Sequence, residues 1–161
     1  MGRLGEVYTI QPDPFGPSTT PVLLRVCLFR DVQNLAELRK RLDAGDLSCS
    51  LLRADTILAM FQLLVAANRA LHYQAQQKMK TKSIHTELVY SLSPTKNISE
   101  SLQTFGANDS TKDVIVAVFG DKSGSVMKDI AKVIKGKAVP LRTLGDVSNS
   151  DLIKKVRQQP S

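Results

Sequence analysis

The stretch Val114-Ile115-Val116-Ala117-Val118-Phe119 is an unbroken apolar run, which is typical of a β-strand that is buried on both faces. A second run, Val22–Phe29, is nearly continuously apolar and predicts another strand near the centre of the same sheet. Val7–Ile10 precedes it and predicts a partner strand in a long-looped hairpin. The connecting loop, Gln11–Pro21, contains four prolines and a glycine, which exclude regular structure.

Apolar residues at helical spacing predict helices around these strands. Asn34-Leu35-Ala36-Glu37 is typical of a capping box and predicts a helix that ends at Gly45. A longer helix over Asp55–Gln77 has Phe61 and Val65 on its apolar side, with Asn68 as a buried amide in the same line. The remaining predictions are a strand over 84–92 from its alternating pattern, a helix from a second capping box at Asn97 to Gly106, a helix over Val126–Ile134, an edge strand over Ala138–Leu141 and a basic helix over Ser150–Gln158.

The predicted order is ββααβαβαβα, and 42% of the 161 residues are apolar, which is enough to form a core. We therefore expect one α+β domain over residues 1–161, layered like an α/β fold. Helices should flank a central, mostly antiparallel sheet of about four to five short strands.

The chain carries 22 Lys and Arg residues against 15 Asp and Glu, a net charge of +7, and most of the surplus lies in its second half. This charge is compatible with a polyanionic partner. The longest apolar stretch, Ile57–Ala67, is interrupted by Gln62 and is shorter than the ~18 residues of a membrane helix, so no membrane partner is expected. The first residues do not have the pattern of a signal peptide, which favours the cytoplasm and nucleus and reduced, unpaired Cys27 and Cys49.

Motifs for the common catalytic and cofactor sites are missing from the sequence. Gly120–Ser125 does not have the spacing of a Walker loop, and no Gly-x-Gly-x-x-Gly or Gly-x-Ser-x-Gly motif occurs. His85-Thr86-Glu87 matches half of a zinc deaminase motif, but the Pro-Cys-x-x-Cys half is missing. We expect no enzymatic activity, no metal and no cofactor, while an enzyme with an unrecognised site stays open as an alternative.

The residue pattern around Ser93–Asn97 is typical of anion recognition. A predicted helix begins at Asn97, and the N-terminus of a helix attracts negative charge. Lys96 lies beside it, and Lys78, Lys80 and Lys82 precede the strand that leads to this loop. In the alternative interpretation Asn97 only caps its helix and the lysines are solvated.

Several stretches of this sequence together resemble the TPRKB family, the kinase-binding small subunits of the KEOPS (EKC) complex. The resemblance rests on Leu64–Ala70, Lys78–Tyr90, Leu92–Leu102 and Phe105–Gly106. It implies a non-catalytic subunit that binds the N-terminal lobe of the complex's small atypical kinase/ATPase and meets the other KEOPS subunits indirectly.

The resemblance also implies a role with tRNA. Such a subunit helps to recruit tRNA by its 3′ CCA end for threonylcarbamoyladenosine formation at the position next to the anticodon. The residues implied for tRNA binding are Asn68, Arg69, Lys82, Ser93, Lys96 and Asn97. The alternative is a protein-only adaptor or regulator of the kinase that has no direct contact with tRNA.

Overall fold

Two strands, β2 (Val22–Arg30) and β4 (Val114–Phe119), pair antiparallel at the centre of the sheet. The computed structural model describes residues 6–10, 21–45, 48–57, 60–93, 97–108 and 110–139. β1 (Glu6–Ile10) pairs with the first half of β2, β5 (Lys137–Val139) pairs with its last residues on the same edge, and β3 (Ser50–Arg53) pairs with β4. Every described pairing is antiparallel.

Helices cover both faces of this sheet. They are α1 (Leu35–Asp43), α2 (Met60–Ala75), α3 (Ile84–Leu92), α4 (Ile98–Phe105) and α5 (Ser125–Val133). One core cluster joins Leu24, Val26 and Leu28 of β2 to side chains of α2, α3 and α4. The other joins Cys27 and Phe29 to side chains of α1 and α5. The sheet therefore separates two helical layers, and the α+β prediction with a mostly antiparallel sheet is confirmed.

The strands predicted from apolar runs are confirmed. β1, β2 and β4 occur where the sequence predicts them, β1 and β2 pair as a hairpin, and β5 lies at an edge of the sheet. Gly45 follows the C-cap Ala44 of α1 and has a left-handed φ of 85°, as expected of a residue that ends a helix. The loop residues 11–20 and the predicted helix over Ser150–Gln158 lie outside the described residues.

The prediction of a strand over residues 84–92 is wrong, because this segment is the helix α3. The hydroxyl oxygen of Ser83 caps it by accepting a hydrogen bond from the Thr86 N–H at 3.2 Å. Ile84 and Leu88 are four residues apart, so they fit one face of a helix as well as one face of a strand. The cap and the packing of α3 against the sheet select the helix. The strand beside β4 is instead the four residues of β3, at an edge of the sheet.

Three further details of the predicted helices are wrong. Asn34 precedes α1 but makes no side-chain cap; its amide donates to the Val133 carbonyl and accepts from the Lys135 N–H, which ties α1 to the end of α5. The long helix does not begin at Asp55: a 3-10 turn at Ala54–Thr56 comes first. Asn68 is exposed on α2, so it is not a buried amide. By contrast, Asn97 caps α4 by accepting from the Glu100 N–H at 3.0 Å, as predicted.

The end of α2 has a residue in a strained backbone conformation. The Lys78 N–H donates to the Tyr73 carbonyl and the Gln77 N–H to the Gln74 carbonyl, which is the hydrogen-bond pattern of a Schellman motif. Gln77 has the left-handed φ of 57° that this motif requires and that glycine adopts most easily. The loop that leads to α3 begins at this turn.

Replacing Gln77 with glycine should therefore stabilise the protein. Relief of the left-handed strain exceeds the entropic cost of a new glycine, and we expect a gain of about 0.5 kcal/mol in the free energy of unfolding. Urea titration measures it, with Gln76→Gly as the matched control, which should destabilise. A Gln77→Gly variant that is less stable than the wild type would contradict the backbone assignment at this turn.

Candidate functional site

The predicted tRNA-binding residues fall on three parts of the helical layer that covers the first face of the sheet. Asn68 and Arg69 are exposed on α2, and Lys82 is exposed in the loop before α3. Asn97 is exposed at the start of α4. Ser93 follows the last residue of α3 and is buried. Lys96 lies outside the described residues.

The helix α3 separates Lys82 from Asn97. Its nine residues rise by about 13 Å, and Lys82 precedes its first turn whereas Asn97 follows its last. The predicted strand-loop-helix motif is thus a helix-loop-helix motif. One phosphate group cannot contact both ends of α3, whereas a strand of several nucleotides, each with its own phosphate, can cover this length.

The loop between α2 and α3 presents three cations. Lys78, Lys80 and Lys82 are exposed and alternate along the chain. Beneath them Glu87 of α3 is fully buried, and its Oε1 atom accepts hydrogen bonds from the Lys80 N–H at 2.8 Å and the Thr81 N–H at 2.9 Å. The loop is therefore tethered at its middle to the first turn of α3.

The sequence pattern considers Glu87 only as part of the incomplete zinc deaminase motif, and it does not predict that this side chain holds the loop. Its signal is its position four residues after the capping Ser83, in the first turn of a helix, where an acidic side chain is favoured. That signal becomes visible only once the segment is recognised as a helix.

The exposed face of α2 combines apolar and polar residues. Phe61 is 75% exposed and Val65 is 47% exposed, so the prediction that both lie on the buried side of the helix is wrong. Asn68 and Arg69 follow at helical spacing on the same side. The buried side of α2 is formed instead by Leu63, Ala66, Ala67, Ala70 and Leu71. The exposed face of α2 is thus apolar at the beginning of the helix and polar and cationic towards its end. Beyond that end lies the loop with Lys78, Lys80 and Lys82, here called the lysine loop.

A cleft of about 410 Å³ lies beside the start of α3. Its walls include His85 of α3, Leu42 of α1 and Cys49 before β3. Burial lowers the pKa of His85 below its usual 6.5, so the imidazole is neutral at pH 7. Burial also raises the pKa of Cys49 to about 12, so its thiol stays protonated and weakly nucleophilic.

Another loop with an apparent capacity for anions is occupied by the protein's own carboxylate. The Asp121 side chain accepts from the Met127 N–H at 2.9 Å and the Val126 N–H at 3.3 Å, at the start of α5. Arg25 approaches the same carboxylate at 3.6 Å. The Gly120–Ser125 segment therefore does not offer its helix N-terminus to a phosphate.

The described residues contain neither a metal-binding cluster nor a membrane-spanning helix. Within those ranges, no three His, Cys, Asp or Glu side chains are grouped so that they could hold a metal ion. The helices in the same ranges are all too short or too polar to cross a membrane.

Comparison with known proteins gives a consistent set of relatives. The family model described as "Kinase binding protein CGI-121" matches residues 29–158. The EKC/KEOPS complex subunit TPRKB of Danio rerio is 35% identical over 130 residues, which are 80% of this chain and 74% of the relative. The EKC/KEOPS complex subunit cgi121 of Aspergillus terreus is 36% identical over 146 residues, 86% of this chain and 75% of the relative. The same subunit of Aspergillus fumigatus is 35% identical over 150 residues, 88% and 78% of the two chains.

Proposed function

Because this chain belongs to the CGI-121 family of kinase-binding proteins, we propose that it is a non-catalytic subunit of an EKC/KEOPS complex and binds the kinase of that complex. The named relatives are subunits of this complex, and they align with most of the chain. Membership supports a role in tRNA modification and leaves open which surface does the binding.

The observation that carries kinase binding is the apolar start of the exposed face of α2. Phe61 and Val65 are four residues apart, so their side chains form one patch. Burial of such a side chain contributes about 1.5–3 kcal/mol, so two exposed ones favour a protein partner over solvent. We assign this patch to the kinase, in its N-terminal lobe, because a protein lobe can supply a matching apolar surface.

The lysine loop supports a second role, in tRNA recruitment. Lys78, Lys80 and Lys82 are exposed together on one tethered loop, and Lys and Arg contacts to phosphates supply most of the non-specific affinity for nucleic acids. The start of α4 at Asn97 offers a second anion-binding element, which follows the far end of α3, a helix about 13 Å long. We propose that a single-stranded end, the 3′ CCA of tRNA, spans these two elements, with Lys96 beside Asn97.

The apolar patch and the lysine loop lie at different ends of α2. Arg69 lies about 12 Å along α2 from Phe61, and the lysine loop lies beyond the end of the helix. The kinase and the tRNA can therefore be held at the same time, as a recruiting subunit requires.

Removal of the apolar patch should abolish kinase binding without unfolding the protein. In the wild type Phe61 is largely exposed and Val65 about half exposed, so a Phe61→Ser/Val65→Ser variant loses little burial within the fold. Co-purification with the kinase subunit measures the effect, and the wild-type pair should resist high salt because apolar burial is not screened. Val7→Ser, on the exposed edge strand β1, is the matched control. Full kinase binding by the double variant would exclude this patch.

Neutralisation of the lysine loop should weaken tRNA binding. For Lys80→Gln/Lys82→Gln we expect a lower affinity for intact tRNA and a slope of log Kd against log salt that is shallower by about 0.7 for each phosphate that the loop no longer neutralises. Lys128→Gln/Lys132→Gln removes the same charge from α5, on the opposite face of the sheet, and is the matched control.

Two outcomes of the same titration favour the protein-only adaptor. One is equal binding of intact tRNA and of tRNA trimmed of its 3′ CCA. The other is an equal loss of affinity in the two lysine variants, which would reduce the effect to net charge. Two observations support this alternative: Ser93 is buried, and the Asn97 side chain caps its own helix.

A further inference from the structure

The carboxyl group of Glu87 organises the lysine loop from below. Glu87 is fully buried, and three donors converge on its Oε1 atom: the N–H groups of Lys80 and Thr81 at 2.8 and 2.9 Å, and the Thr81 hydroxyl at 3.0 Å. Among the described residues its other oxygen, Oε2, is buried without a hydrogen-bond partner. The loop amides, rather than a salt bridge, therefore account for the hydrogen bonds of this side chain.

The loop has few other means of holding its shape. Residues 78–83 form no regular helix or strand, so their backbone N–H groups need partners outside a hydrogen-bond ladder. Glu87 supplies such a partner at the middle of the loop, and the Schellman turn at Gln77 and the cap Ser83 fix its two ends. When the amides of residues 80 and 81 are held inward, the neighbouring lysine side chains lie outward.

We propose that Glu87 is a positioning residue of an RNA-binding surface: by holding the Lys80 and Thr81 amides, it presents Lys78, Lys80 and Lys82 as one preorganised phosphate-binding loop. This inference rests on the proposed tRNA role. Preorganisation reduces the entropy lost when the three side chains bind one RNA strand, so the tether increases affinity without touching RNA. A negative charge on Glu87 would by itself repel phosphate, so any favourable effect on RNA binding comes from its position.

Two conservative variants separate the effect of the length of the Glu87 side chain from the effect of its charge. Glu87→Asp keeps the charge but shortens the side chain by one methylene, which withdraws the carboxylate from the loop amides. Glu87→Gln keeps the reach and an acceptor oxygen but removes the charge, and its amide group replaces an oxygen that has no partner in the described residues.

The experiment combines amide hydrogen exchange with tRNA titration on the full chain. In Glu87→Asp we expect the exchange protection of the Lys80 and Thr81 amides to be lost and the tRNA affinity to fall several-fold, whereas kinase binding and the protection of the sheet amides stay at wild-type values. Glu87→Gln should retain both the protection and the affinity.

Three results would overturn the inference. Protection at residues 80 and 81 that is unchanged in Glu87→Asp would exclude the tether. Wild-type tRNA affinity after that protection is lost would show that the loop needs no positioning. A loss of tRNA affinity in Glu87→Gln but not in Glu87→Asp would assign the effect to charge. Failure of the tRNA role itself is recognised separately, because then Lys80→Gln/Lys82→Gln also binds like the wild type.

Discussion

The pairing of β2 with β4 is the constraint on which the rest of the molecule depends. Leu28 lies opposite Ile115 and Val26 opposite Ala117 on one face, while Cys27 lies opposite Val116 on the other. Both strands are apolar on both faces, so neither face of the sheet can be left to water. Helices must therefore cover both sides. Truncation of a fully buried leucine here would cost about 2–5 kcal/mol, a large part of the stability of a small domain.

The same constraint explains where binding residues can lie. The inner sides of α2 and α3 are used to cover the sheet, so function is left to the outer side of α2 and to the loop that joins the two helices. On that outer side Phe61 and Val65 form an apolar patch, and the lysine loop forms a cationic one beyond the other end of α2. Glu87 connects the helical layer to the lysine loop, because it belongs to the first turn of α3 and accepts hydrogen bonds from the loop.

The sequence predicts the central strands well, because an apolar run that is continuous, as in β4, or nearly so, as in β2, has few other stable interpretations. It fails over residues 84–92, where Ile84, Leu88 and Leu92 fit both periods and only the Ser83 cap distinguishes them. It also misses β3, whose four residues are too short to show a period. For the site, exposed lysines can be predicted from composition, but the exposure of Phe61 and the burial of Glu87 depend on which side of a helix meets the sheet. Tertiary packing decides that, and local pattern does not.

Separate kinase and lysine-loop ends of α2 can be tested most directly by titrating tRNA into the free chain and into the chain saturated with its kinase. The comparison uses the wild type and Lys80→Gln/Lys82→Gln, so any tRNA contact made by the kinase itself cancels. If the ends are separate, the ratio of the two affinities is the same with and without kinase. A ratio that falls to one when the kinase is bound would show that the kinase covers the lysine loop, and would contradict a recruiting role for it.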